Sequence, residues 1–280
     1  MSSLLPALQQ LFATLMAAIA FLSGMFSSGH QVTKGDIQLV TQHSYNLDIG
    51  IPFSQGITTD GEYFYGFGTF KLANYCSIAK IDIETGEVIK QTDFCVPEEL
   101  SLKGYDHFGD GDYDNGKLYV ACEDLFFTAP AIMVYDAETL EFLDCYIVPE
   151  EGEGDAHIPW CLVKDGIIYY SQFDNVTEIR MLSVEDGSYL GAIQINAELF
   201  DVQGGDFDGD YLYLSTNRGD GKIRRTHRVD MTTGDCQVVF ERDMGILTSE
   251  AEGMCVYEFE DGTKFHYVDI DGQIQIRSYK

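Results

Sequence analysis

Five short segments of this 280-residue chain open on a side chain able to bind a ligand or move a proton. They are "QGITTDGEYFYGFG" from Gln55, "HFGDGDYDNGKLYVACE" from His107 and "HIPWCLVKDGIIYYSQFD" from His157. "QGGDFDGDYLYLSTN" from Gln203 and "EGMCVYEFEDGTKFHYVDID" from Glu252 complete the set. Two imidazoles, two amides and one carboxylate at matching places form a coherent donor set. Read as ligands, His107, His157 and Glu252, with amide oxygens from Gln55 or Gln203, suit a divalent cation. Mixed nitrogen and oxygen donors favour Mn, and Ca is compatible. An ion with an open position polarises a carbonyl or acidifies a water. One histidine then serves as general acid or base, its pKa lying near neutrality. The competing reading is a hydrogen-bonded polar ring that only satisfies itself and trapped water.

Asp110 follows His107 by three residues and is expected to orient its imidazole, completing a catalytic set of His107, His157 and Asp110. The stretch Asp110-Gly-Asp112-Tyr-Asp114 imitates the start of a calcium loop. Asn115 stands where that loop needs Gly, and Ala121 where it needs Glu. Asp112 and Asp114 are therefore assigned to a turn. Phe53, Phe108 and Trp160 lie within three residues of the openings and are candidates to stack on a flat ligand, with blade packing as the alternative. Glu123, Asp174 and Asn175 add weaker polar signals.

The elements that must position these residues follow from the repeat. The openings are spaced by 52, 50, 46 and 49 residues, a period that signals a repeat architecture. Each unit carries an Asp-Gly or Asn-Gly turn flanked by alternating apolar residues, as at Asp60-Gly61 and Asn115-Gly116. A second hairpin follows, as in "AKIDIETGEVIKQT" and "THRVDMTTGDCQVVF". Four strands per unit in five units predict an all-β, five-bladed propeller. The fifth unit is one strand short, and "DIQLVTQHSYNLDI" (36–49) is expected to supply it, closing the ring from the N-terminus. The openings then converge at the mouth of the axial channel.

Composition narrows the partners. The chain has 17 basic against 46 acidic residues, a net charge of −29. That field repels nucleic acid and anionic membranes and leaves cations, glycans and neutral small molecules. Residues 1–35 are read as a separate apolar segment and 36–280 as the propeller. Leu11–Phe26 is uncharged, which fits a signal-like segment or membrane anchor and an extracytoplasmic, secreted or surface-anchored protein; a helix docked on the domain is the alternative. The seven cysteines form no CxxC and sit mostly in apolar runs, where they read as core.

The pattern of an aromatic "DG-x-x-Y/F" strand followed by a "D-x-x-T-G" hairpin, as in "TTDGEYFY" and "IDIETGEV", resembles the streptogramin-lyase-like and gluconolactonase-like bacterial propellers over residues 36–280. That resemblance implies a divalent metal or a His and Glu pair at the channel mouth, mapping onto His107, His157 and Glu252. Those enzymes typically have six or seven blades. Two functions are expected: a metal-dependent lyase or hydrolase on a carbohydrate or lactone-like small molecule, or a non-catalytic propeller binding a glycan or protein.

Overall fold

Alternating apolar residues and tight turns fold each repeat into one antiparallel sheet, as the computed structural model shows. It describes residues 30–46, 51–70, 75–124, 126–148, 157–217, 222–245 and 249–280. Two strands precede the first repeat, β1 (Gln31–Lys34) and β2 (Leu39–Tyr45). Blade 1 contains β3 (Gly56–Thr59), β4 (Tyr63–Phe70), β5 (Tyr75–Asp82) and β6 (Val88–Asp93). A single helical turn, α1 (Glu98–Ser101), leads into blade 2: β7 (Tyr105–Asp114), β8 (Lys117–Asp124), β9 (Ala131–Asp136) and β10 (Phe142–Ile147). Blade 3 is β11 (Cys161–Lys164), β12 (Ile167–Tyr170), β13 (Val176–Ser183) and β14 (Tyr189–Leu199). Blade 4 is β15 (Val202–Asp208), β16 (Tyr211–Thr216), β17 (Ile223–Asp230) and β18 (Cys236–Asp243). Blade 5 has β19 (Glu250–Val256), β20 (Phe265–Ile270) and β21 (Ile274–Tyr279), with β2 as its outer strand.

Ring closure by the N-terminal strand is as expected, with β2 antiparallel to β21 from Leu39↔Tyr279 to Tyr45↔Ile274. One strand was not anticipated. β1 pairs with β18 and makes blade 4 five-stranded, so the segment read as preceding the propeller contributes to it. The apolar stretch of residues 4–26 lies outside the described residues. Among those described, no helix is long and apolar enough to cross a membrane.

The turns form where the dipeptides predicted. Asn115 and Gly116 both have positive φ (48° and 80°), as do Asp165 and Gly166 (55° and 76°), the geometry that matches hairpin twist. Burial concentrates between neighbouring blades. Blades 1 and 2 share Phe67, Ile78, Val120 and Tyr135; blades 3 and 4 share Trp160, Ile179, Leu212 and Val229. All seven cysteines are free thiols.

The seam between blades 4 and 5 packs Tyr213 against Met254, Phe265 and Tyr267 and adds a buried charge cluster. Asp269 on β20 accepts hydrogen bonds from Arg242 Nη1 at 2.9 and 2.7 Å and from Arg277 Nη1 at 3.0 Å. Arg242 lies 3.7 Å from the Tyr267 ring centroid. Burial pushes the Asp269 carboxyl up, but Arg242 and Arg277 together hold it below the usual carboxylate range.

Candidate functional site at the axial mouth

The five inner strands β3, β7, β11, β15 and β19 pack around the axis. Gln55 immediately precedes β3 and His157 lies ahead of β11, whereas His107, Gln203 and Glu252 fall within the first three residues of β7, β15 and β19. The axis beneath them is closed by Asp110. Its Oδ1 accepts the Ile57 N–H at 2.8 Å; its Oδ2 accepts Gly205 N–H at 3.2 Å and Met254 N–H at 3.1 Å. Its own N–H donates to Pro159 O at 2.7 Å. The carboxylate therefore meets three other blades, and the backbone N–H of the same residue meets the fourth. Glycines make the approach possible: a Cβ at Gly56, Gly204 or Gly253 would fall within 3.0 Å of Asp110. Burial pushes this carboxyl well above its usual range, opposed by the N–H groups of Ile57, Met254, Gly111 and Gly205.

Two assignments change here. Asp110 binds backbone amides across the axis, so it is an axial tie and not the expected imidazole partner. Asp112 is not in the turn; it lies within β7, accepting Val163 N–H at 2.8 Å and the Thr58 hydroxyl at 3.2 Å. Burial raises it to about 6. On blade 4, Asp206 repeats the motif by accepting Val256 N–H at 2.7 Å.

Above this floor the opening residues fall into two groups. His107 stands opposite Glu123 in the β7–β8 register, and His157 Nε2 lies 3.3 Å from Glu123 Oε2. The His157 ring is stacked on Phe173 (centroids 4.4 Å, 22°) and tilted against Phe127 (4.4 Å, 34°). Phe127 also meets His107 edge-on at 6.1 Å. Asp124 holds the loop bearing Phe127 by accepting the N–H groups of Phe126, Thr128 and Ala129.

The second group centres on blade 5. Glu252 is buried, and Gly253 N–H donates to Gln55 O at 2.9 Å. Blades 4 and 1 flank blade 5, so Gln203 and Gln55 stand on either side of Glu252. Burial raises the Glu252 carboxyl well above the usual glutamate range; the charge of Glu250, and a hydrogen bond from it, add to the shift. Glu250 is exposed. Arg224, which donates to Ser249 O at the entrance to β19, interacts with both glutamates.

Three expected ligand contacts move into the core. Phe53, Phe108 and Trp160 have no exposed surface, because they fill the inter-blade cores. The Trp160 indole N–H donates to Ser171 Oγ at 3.0 Å. Phe127, Phe173 and Glu250 are the site residues that sequence reasoning missed. A metal centre finds no support in the donor geometry: among the described residues, no three His, Cys, Asp or Glu side chains converge to hold an ion.

Comparison with known proteins supports the architecture. No family model matches, and no curated protein matches. Among solved structures, the glutaminyl cyclase of Myxococcus xanthus superposes with a TM-score of 0.61 at 12% identity, covering 87% of this chain and 95% of that one. The hydrazine synthase of Kuenenia stuttgartiensis is also similar, with a TM-score of 0.43, 16% identity, and 78% and 56% of the two chains covered. The chain is a five-bladed propeller. Of its expected resemblance to the streptogramin-lyase-like and gluconolactonase-like proteins, these comparisons bear out the propeller fold.

Proposed function

We propose that the axial mouth is an acid–base enzyme site that cyclises an amino-terminal glutaminyl residue, or a closely related γ-amide, with release of ammonia. The carrying observation is the Glu250–Glu252 pair: one carboxyl open to solvent, the other buried, hydrogen-bonded to it and held toward its neutral form. A buried carboxyl raised above its usual range can serve as the acid, and the exposed carboxyl beside it as the base. The shared fold with a glutaminyl cyclase gives the substrate class its starting point.

In this reading the acidic mouth attracts the substrate ammonium, as the net charge of −29 favours. The Glu250 carboxylate takes one proton from it. The freed α-nitrogen attacks the γ-amide carbon, forming the ring C–N bond. Glu252 gives its proton to the amide nitrogen as that C–N bond breaks, and the second proton of the ring nitrogen passes to the departing ammonia, which leaves as ammonium. The proton gained by Glu250 returns to Glu252 along their hydrogen bond. Gln55 and Gln203 flank the pair and provide amide donors for the oxygen that gains charge. No metal enters these steps. An extracytoplasmic setting remains part of the proposal, resting on the uncharged stretch Leu11–Phe26.

The test is ammonia release from short glutaminyl peptides by the wild-type chain, with Glu250→Gln and Glu252→Gln beside it. Turnover that survives a chelator and falls at least ~100-fold in each variant supports the reading. Turnover of lactones or glycans that requires added Mn or Ca would replace it with the metal-dependent lyase or hydrolase expected from sequence. A second reading is a binding module, favoured by the Asp110 floor that closes the axis and by the Phe127–His157–Phe173 stack. Glycan binding without turnover, lost in Phe173→Ala, would establish it.

A further inference from the structure

The hydrogen bonds of Asp110 repeat with a regular offset. The amides it accepts belong to Ile57, Gly205 and Met254, each two residues beyond an opening residue: Gln55, Gln203 and Glu252. Its own N–H reaches Pro159 O, two residues beyond His157, and His107 precedes it by three on the same strand. The residue between each opening side chain and its tied amide on blades 1, 4 and 5 is Gly56, Gly204 or Gly253, and none of these has room for a Cβ. Asp110 itself is completely buried.

We infer that Asp110 is the positioning residue of the mouth: one carboxylate sets the height and spacing of Gln55, Gln203 and Glu252 on three separate blades. A tie limited to holding blades together would work from any residue of an inner strand. This one grips the strands one peptide below the side chains that face the ligand, so a change at Asp110 moves all three. Asp110 also acts on Glu252 through its charge. The groups facing Glu252 are Glu250 on its own strand, Asp110 on β7, Asp269 on β20 and Arg224 on β17. The catalytic consequence of the tie rests on the acid–base role proposed for Glu252; the tie itself does not.

The experiment is Asp110→Asn in the full chain, labelled with ¹³C at glutamate carboxyls, with the Glu252 signal assigned by Glu252→Gln. Removal of the neighbouring charge lowers the Glu252 midpoint by about one pH unit. With glutaminyl peptide, kcat falls at least ~10-fold while KM moves less than ~3-fold. Leu182→Ala, a core change on β13 remote from the tie, lowers the melting temperature without moving that midpoint. If Asp110→Asn lowers the melting temperature but leaves both midpoint and kcat at wild-type values, the tie is structural only and the inference is overturned. Should the variant fail to fold, the wild-type chain decides. The amide signals of Ile57, Gly205 and Met254, which donate to Asp110, are expected to shift together at one midpoint, that of Asp110, and independent midpoints would contradict a common tie. Absence of turnover in the wild type would remove the cyclase reading while the carboxyl titration still judges Asp110.

Discussion

Asp110 and Asp269 are the same residue type with the same complete burial, yet their environments drive them in opposite directions. Asp269 sits at the seam between blades 4 and 5 with two guanidinium groups against it and is held ionised. Asp110 sits on the axis, where its partners are neutral N–H groups, and burial raises it. The seam uses charge pairing to join two blades. The axis leaves its acidity uncompensated by cations and adds to the upward shift of Glu252, the carboxyl to which the proposed function gives the proton transfer. Burial alone therefore does not set the direction in which a carboxyl shifts; the charge of its partners does.

The largest effect tests the seam. Asp269→Ala strands Arg242 in a buried site and leaves Arg277 to Asp271 and Gln42, and a loss of about 3–5 kcal/mol is expected in urea unfolding. A loss under about 1 kcal/mol would mean that water reaches the guanidinium groups.

The pH dependence of stability sharpens the contrast. Asp269 is lowered in the folded state, so its contribution is present above the unfolded value of roughly 3.9 and is lost as pH falls through the folded one. Glu252 is raised, so its contribution has the opposite sign: folding loses stability as pH rises through its folded value. Urea midpoints from pH 2 to 8 should show an acid limb that Asp269→Asn flattens and Glu252→Gln leaves in place.

A smaller effect is expected away from both aspartates. Phe173→Ala removes one face of the His157 stack and costs about 1 kcal/mol, with ligand affinity falling more than stability does.

The smallest stability change belongs to Glu252→Gln. Replacing a buried, raised carboxyl by a neutral isostere should stabilise the chain by up to about 1 kcal/mol at pH 8 while abolishing turnover, as functional groups held at a cost to stability do.

The propeller was legible because its physics is local. Asp-Gly and Asn-Gly turns, strand alternation and the missing fourth strand of the last unit all left marks in the chain, and β2 closes the ring as its pattern required. β1 left none, since four residues added to an existing edge carry no period of their own. The positions of the opening residues were legible from the repeat, but their roles were not. Asp110 read as a partner of His107 because the two are near in sequence, whereas its partners lie on other blades. The recurring Gln-Gly and Glu-Gly pairs at 55–56, 203–204 and 252–253 are the signal that a bulky group occupies the axis. Trp160 and Phe108 sit next to opening residues, but alternation along the chain turns them into the blade cores. Phe127 and Phe173 come from loops, where no period points at them.

The most direct test of the account is a carboxyl ¹³C titration of the wild-type chain labelled at aspartate and glutamate. Glu252 is predicted to titrate well above the ordinary glutamate value of about 4.3, and Asp269 below the ordinary aspartate value of about 3.9. A Glu252 midpoint at the ordinary value would contradict the acid–base site, because the mouth would then hold no carboxyl in the neutral form that ammonia release requires.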